Sequence, residues 1–334
     1  MPAVLAAWLA ASDLALVPPV RWQRLTGGSS NLTYRLTDGE GRRCVLRRPP
    51  DQAARNTHDV LRESRIVDAL GGSGLPVASV RGSCADPGII GAPFYVMSFV
   101  EGTVLTSVQS AAATTEAYRA AVSESFVAAL ATLHDIDPEQ IGLDGLARSD
   151  GYIERQLNRW IGQYRQSRTQ DVPLIEDIHS RLKSRVPCDE HRGIVHGDFR
   201  LENVMFDDTG QVSAVLDWEL ATLGETSTDL AWALLYWTSN ADEAEELILT
   251  RATALPGFLS RDDMVARYVL LSGRSLDDLN FYLAFACWRA SCIAEGVLSR
   301  YVHGQMSAQG VDLAKHARAV RARAELADEL LRRA

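Results

Sequence analysis

Ile194-Val-His-Gly-Asp-Phe-Arg-Leu-Glu-Asn-Val-Met-Phe206 runs on through Asp207-Asp-Thr-Gly210 into Val212-Ser-Ala-Val-Leu-Asp-Trp-Glu219. Val204 to Phe206 reads as a short strand, Asp207 to Gly210 as a turn, and Val212 to Leu216 as the return strand. A hairpin folds its two ends together, which places Asn203 beside Asp217. Two oxygen ligands converging there suit a hard cation such as Mg²⁺, which keeps several waters and takes the rest of its shell from a nucleotide's phosphates. Asp198 stands five residues before Asn203, slightly outside that pair, where it can accept a proton from a hydroxyl group. Singly, Asp198 could be a turn aspartate after Gly197, Asn203 a turn amide and Asp217 a strand-end cap. Together they form the base, positioning amide and metal carboxylate of phosphoryl transfer.

Working outward, Arg21 to Arg48 is strand-like: an apolar run, a turn at Gly27-Gly28, Leu32 to Leu36, a turn at Asp38 to Gly41, then Cys44 to Arg47. Thr57 to Leu70 has helical spacing and stops at Gly71-Gly72. Phe94 to Val100 is a strand ended by Glu101-Gly102. Beyond it the chain becomes mainly helical, with helices expected at about 114–134, 149–168, 173–185, 227–239, 242–250, 261–272, 277–300 and 312–332. The hairpin is the only strong β signal in this half. The pattern predicts an α+β, two-lobe architecture: residues 1–97 as a small β-rich lobe, 98–102 as the hinge, and 103–334 as a large helical lobe.

Composition sets outer limits. With 46% hydrophobic and 23% charged residues the chain reads as an ordinary globular protein. Its 43 acidic against 34 basic residues give a net charge of -9, which argues against a nucleic-acid surface. Five cysteines (Cys44, Cys84, Cys188, Cys287, Cys292) show no zinc-ligand or redox spacing and read as buried reduced thiols. The apolar start, Met1 to Asp13, lacks the basic residues of a signal peptide. Val4, Leu5, Trp8 and Leu9 instead share one helical face suited to docking on the small lobe. No run approaches the ~20 apolar residues of a membrane span, and the expected location is cytoplasmic.

Six blocks stand in order across residues 20–305. They are Gly27-Gly-Ser-Ser-Asn-Leu-Thr-Tyr34, Val45-Leu-Arg-Arg-Pro-Pro50, Phe94-Tyr-Val-Met-Ser-Phe-Val-Glu-Gly102, Tyr152-Ile-Glu-Arg-Gln-Leu-Asn-Arg-Trp160, the run from Ile194, and Asp217-Trp-Glu with Asp229-Leu-Ala-Trp232. In these blocks the chain resembles the aminoglycoside phosphotransferase family, the small-molecule branch of the protein-kinase-like fold. More narrowly, it is similar to phosphotransferase domains related to those fused to some acyl-CoA dehydrogenases. The resemblance implies Asp198 as catalytic base, Asn203 and Asp217 as metal ligands, and ATP with Mg²⁺ as cofactors. It further implies Gly27, Gly28, Ser29 and Ser30 against the phosphates, Arg47 paired with Glu63, and backbone groups of Ser98 and Val100 at the adenine.

His196 is expected to hold the loop through local hydrogen bonds. Asp229 has two readings, a residue of a helix N-terminus or a brace for the catalytic loop. The chain departs from the family at two points. Gly224-Glu-Thr226 replaces the usual Gly-Asp-Pro, and Arg47 stands where most kinase-like enzymes carry Lys. Arginine keeps the charge and can grip phosphate with two donors, so it reads as a variant grip. Loss of that lysine also marks degenerate kinases, which keeps a nucleotide-binding regulator in view.

On the acceptor side the helix from Tyr152 carries Arg155, Arg159 and Trp160, and Arg289 stands on a later helix. An aminoglycoside is a polycation and would be met by clustered carboxylates. This make-up instead favours a small-molecule hydroxyl acceptor with an apolar body and an anionic group. An antibiotic kinase is the rival within the same class.

Overall fold

A computed structural model describes residues 3–12, 14, 16–25, 31–50, 59–146, 151–188, 191–238, 245–247 and 249–334. The first part holds α1 (Ala3–Ala11), β1 (Arg21–Arg24), β2 (Leu32–Thr37), β3 (Arg43–Arg48), α2 (Val60–Leu70), β4 (Val80–Cys84) and β5 (Phe94–Ser98). The five strands form one antiparallel sheet in the order β1-β2-β3-β5-β4. Alternation along β2 and β3 turns Leu36, Cys44 and Leu46 into a small core with Phe94 and Val96. Leu5 and Leu9 of α1 close that core, and Trp8 meets Phe94 edge-on at 4.8 Å. Val4 does not share the docked face and is half exposed. The side chain of Asp59 caps α2 by accepting the backbone N–H of Arg62.

The remainder comprises β6 (Thr103–Val104), α3 (Val108–Ala112), α4 (Glu116–Asp135), α5 (Tyr152–Ser167), α6 (Pro173–Ser184), β7 (Arg192–Val195), β8 (Val204–Phe206), β9 (Val212–Val215), β10 (Thr222–Glu225), α7 (Ser227–Leu235), α8 (Arg261–Ser272), α9 (Leu279–Val302) and α10 (Leu313–Arg332). The hairpin β8–β9 gains a third strand from β6, and β7 pairs antiparallel with β10. One apolar core packs α4 and α8 beneath the hairpin, around Phe126, Phe199, Phe206 and Trp237. A second packs α5, α6, α7, α9 and α10 around Trp160, Tyr164, Phe285 and Trp288.

The helix expected at 242–250 does not appear among the described residues: Glu245 to Leu247 form a turn, and 242–244 and 248 lie outside them. Conversely, β6 and β10 carry no local signal, being short and held by partners distant in sequence; α3 and β4 were not expected either, although α3 opens on a capping box at Ser107 and β4 pairs with the nearby β5. Four cysteines are buried free thiols, whereas Cys188 is exposed. One helix, α9, is long and apolar enough to cross a membrane, against the expectation of no such run; 78% of its most apolar window is buried within the fold.

Candidate active site

The β8–β9 register pairs Val204 with Val215, and the amide of Leu216 donates to the carbonyl of Asn203 at 2.8 Å. Asn203 and Asp217 are thereby brought to the same end of the hairpin. The Asn203 amide nitrogen donates to the Asp198 carbonyl (2.9 Å) and carboxylate (2.8 Å), so its oxygen is left to face a cation. Asp217 lies at φ 64, the one non-glycine residue with positive φ among those described. That left-handed conformation costs an aspartate on the order of 1 kcal/mol, and it throws the carboxylate out of the strand toward the cleft. An amide oxygen and a carboxylate are hard donors that fit Mg²⁺.

The carboxylate of Asp198 is fixed by three donors. Trp232 Nε1 donates to Oδ1 at 2.8 Å, while Asn203 Nδ2 and Arg200 Nε (3.1 Å) donate to Oδ2. Oδ1 takes only the indole bond, which leaves a lone pair for an incoming hydroxyl. His196 accepts the Asp198 amide at Nδ1 (3.2 Å) and meets the Leu216 carbonyl at Nε2 (2.8 Å). These partners assign the ring proton to Nε2. Asp229 sits in the first turn of α7 and also accepts the amides of His196 (2.5 Å) and Gly197 (2.8 Å). Its two readings are therefore compatible. Gly197 has φ 85 and would place any Cβ within 3.0 Å of the Leu220 backbone, so only glycine fits.

Behind this loop, Glu225 and Thr226, at the positions of the family's Asp-Pro, extend and follow β10. Thr226 joins the loop before β7 by bonds to the His191 carbonyl. His134 of α4 lies 3.6 Å from Asp229 and bonds Tyr268 at 2.7 Å. Burial pushes its pKa down, against the pull of Asp229.

On the small-lobe side, Arg47 Nε donates to Glu63 at 3.0 Å and the same guanidinium pairs with Asp217. Asn31 reaches both Glu63 and Glu219 at 3.5 Å. Burial works against the charge on Arg47, but Glu63 and Asp217 outweigh it and push its pKa up. Burial pushes Glu63 up to about 7, Arg47 opposing and Asp217 and Glu219 adding to the rise. Both shifts express one fact: a single guanidinium is shared by two carboxylates, Glu63 and Asp217. The excess negative charge suits a divalent cation.

Gly27, Gly28, Ser29 and Ser30 lie outside the described residues. At Ser98 the amide donates to the Ser79 carbonyl (2.8 Å) and the hydroxyl accepts the Ser79 amide (2.9 Å), so of its backbone groups the carbonyl is the one that could meet adenine. Val100 lies past the end of β5, on the connection to β6.

On the acceptor side Tyr152 also changes role. It is 2% exposed, and its ring packs where a Cβ on Gly224 would sit, only 2.5 Å away. It is a packing residue behind the loop, its hydroxyl pKa pushed up to about 12 by burial. Arg155 is exposed on α5. Arg159 stacks on Trp160 at 5.1 Å. Arg289 is held between Trp160 (5.2 Å) and Trp232 (4.1 Å) and donates to the Gly197 carbonyl at 2.8 Å. Glu295 faces inward to accept the amides of Thr169 and Gln170, which makes it a loop brace. Sequence reasoning missed Arg200 and Trp232. Both were quoted within motifs, and only the fold shows that they reach Asp198.

Comparison with known proteins agrees with this geometry. The phosphotransferase enzyme family matches residues 21–263. The chain belongs to that family. A probable acyl-CoA dehydrogenase of Arabidopsis thaliana is 34% identical over 84% of this chain, which spans only 36% of the plant protein's length. Among solved structures, a putative aminoglycoside phosphotransferase of Ralstonia eutropha superposes with a TM-score of 0.84 at 30% identity, covering 99% and 98% of the two chains. An amicoumacin kinase, solved with AMP-PNP and Ca²⁺, shares the fold (TM-score 0.62, 16% identity, 97% and 92% covered). The fold and the family thus rest on both geometry and kinship.

Proposed function

We propose that this phosphotransferase uses ATP and Mg²⁺ to phosphorylate a hydroxyl on a small molecule with an apolar body and an anionic group, such as a hydroxy acid or hydroxyacyl thioester. The observation that carries the acceptor class is Arg289, stacked between Trp160 and Trp232 and bonded to the catalytic loop. With Arg159 and Arg200 nearby, that wall would repel a polycationic antibiotic. Asp198 Oδ1 accepts the acceptor's hydroxyl proton as transfer proceeds. Asn203 and Asp217 would hold Mg²⁺, which would supply positive charge against the nucleotide's phosphates. Arg47 moves its second contact from Asp217 to phosphate, with Glu63 retaining the first. Unpaired thiols support a cytoplasmic setting.

A second reading has its own support: Arg47 already occupies Asp217, as in a regulator that binds nucleotide without turnover. The test is ADP release from Mg·ATP across hydroxy acids, hydroxyacyl thioesters and aminoglycosides. Release with the anionic set alone supports the first reading, and with the polycations alone the antibiotic kinase. Nucleotide binding without turnover in any arm favours the regulator.

A further inference from the structure

Arg119 shows how this fold treats a structural buried arginine. At 7% exposure, it donates to the carbonyls of Ala111, Thr114 and Pro256. Arg323 of α10 is just as buried, at 8%, yet among the described residues its guanidinium meets no acceptor, and its Nε is fully enclosed without a hydrogen bond. A lone buried guanidinium is costly, and a neutral side chain of the same length would be cheaper at that place.

Its surroundings point to a purpose. The titratable groups whose fields reach Arg323 are Tyr236, just past α7, and Cys287 of α9. Tyr236 is only partly buried, so it borders solvent. Its ring lies 5.0 Å beneath the guanidinium of Arg200 and 5.2 Å from Trp232. Both of those residues bond the Asp198 carboxylate. Contacts therefore link Asp198 to Tyr236 through Arg200 and Trp232, and Tyr236 lies within electrostatic reach of Arg323, whose enclosed Nε has no acceptor.

We infer that Arg323 anchors a buried oxyanion-binding subsite, which takes the carboxylate or phosphate of the acceptor while the acceptor's hydroxyl lies at Asp198. This deepens the proposed function and rests on it for the identity of the occupant. Tyr236 would line the route, and Arg200 would sit between the two ends. The occupant must thus carry its anionic group several atoms from the reacting hydroxyl.

The test is thermal unfolding of the full chain with saturating AMP-PNP and Mg²⁺, which fill the phosphate grip. Three probes are then titrated: a four-carbon hydroxycarboxylate, the diol of equal length, and the diol's phosphate monoester. Wild type should be stabilised saturably by one or both anions and not by the diol; the stronger anion identifies the group accepted. Arg323→Met keeps the apolar stem, so without probe it should melt at or above the wild-type temperature. Its anion affinity should fall roughly tenfold to hundredfold, the worth of a charge-assisted contact. Arg323→Lys should recover part of that affinity. The inference is overturned if Arg323→Met melts well below wild type or fails to fold, since the arginine is then structural. Unchanged anion affinity in that variant, or no anion effect on wild type, overturns it equally. The AMP-PNP shift reports nucleotide binding and ADP release reports turnover, so failure of the subsite and failure of the phosphotransferase reading are told apart.

Discussion

Asp198, Asn203 and Asp217 could be placed from sequence because hairpin pairing is local, and the spacing of a short turn dictates which ends meet. The indole that orients Asp198 was hidden, because Trp232 arrives from 34 residues away. Asp198→Asn preserves size and the ability to accept a hydrogen bond but cannot take a proton. Transfer to a cognate acceptor should fall by roughly 10²–10⁴-fold with nucleotide affinity unchanged; equal turnover in the variant would remove the base from the mechanism. Trp232→Phe is a subtler change, because it keeps a smaller aromatic ring against Arg289 and deletes the indole N–H. Losing one orienting bond of ~1.5–3 kcal/mol to a charged group should lower kcat about tenfold or more, while KM for ATP stays put. A rise in KM for ATP alone would show that Trp232 supports the nucleotide rather than Asp198.

At the scale of elements, the long amphipathic helices were readable from periodicity, and α8 begins and ends at the expected residues. Strand β10 was not, since Thr222-Leu-Gly-Glu225 has no alternation and becomes a strand only by pairing with β7. Its Gly224 exists for Tyr152 of α5, whose ring occupies the missing side chain's place. Gly224→Ala should destabilise the fold by about 1–3 kcal/mol, the usual penalty of overpacking, measured by urea denaturation. Trimming the ring with Tyr152→Leu in the same chain should return part of the loss; additive losses would mean that the two do not collide. A second expectation concerns pH. Burial depresses His134, so the folded state favours its neutral form and the unfolded chain binds the extra proton first. Its contribution to stability is complete above the ordinary pKa of ~6.5 and declines as pH falls below that value. His134→Gln should flatten the acid side of a melting-temperature profile below about pH 6.5. A profile that keeps the wild-type slope assigns acid sensitivity to other groups.

At the scale of the whole molecule, the two lobes share an apolar core, in which Ile66, Val67 and Leu70 of α2 cluster with residues of α4, and polar contacts cross the cleft beside it. The Val215 amide meets the Pro76 carbonyl at 2.8 Å, Arg62 reaches the Ala221 carbonyl at 2.5 Å, and Arg47 spans Glu63 and Asp217. Two lobes could be inferred from the shift in sequence pattern at Val100. That Arg47 of the small lobe would clasp the Asp217 carboxylate of the other could not, because 170 residues separate them. The clasp makes a prediction about cations alone. In wild type, Mg²⁺ without nucleotide must compete with a guanidinium for Asp217, so it should raise the melting temperature little. Arg47→Ala leaves Glu63 and Asp217 without the cation they share. That variant should melt lower than wild type, because two neighbouring like charges, one of them buried, then lose their counterion. Millimolar Mg²⁺ should restore it by more than it shifts wild type, since ligand binding to the folded state adds RT ln(1 + [L]/Kd). Mg·AMP-PNP should show the opposite order, being bound more weakly by Arg47→Ala for want of a phosphate contact. Adding Asp217→Asn to Arg47→Ala should abolish the Mg²⁺ effect, and asparagine tolerates the left-handed backbone there. If Mg²⁺ shifts wild type and Arg47→Ala alike, Arg47 does not guard the metal carboxylate, and the exchange from Asp217 to phosphate must be abandoned.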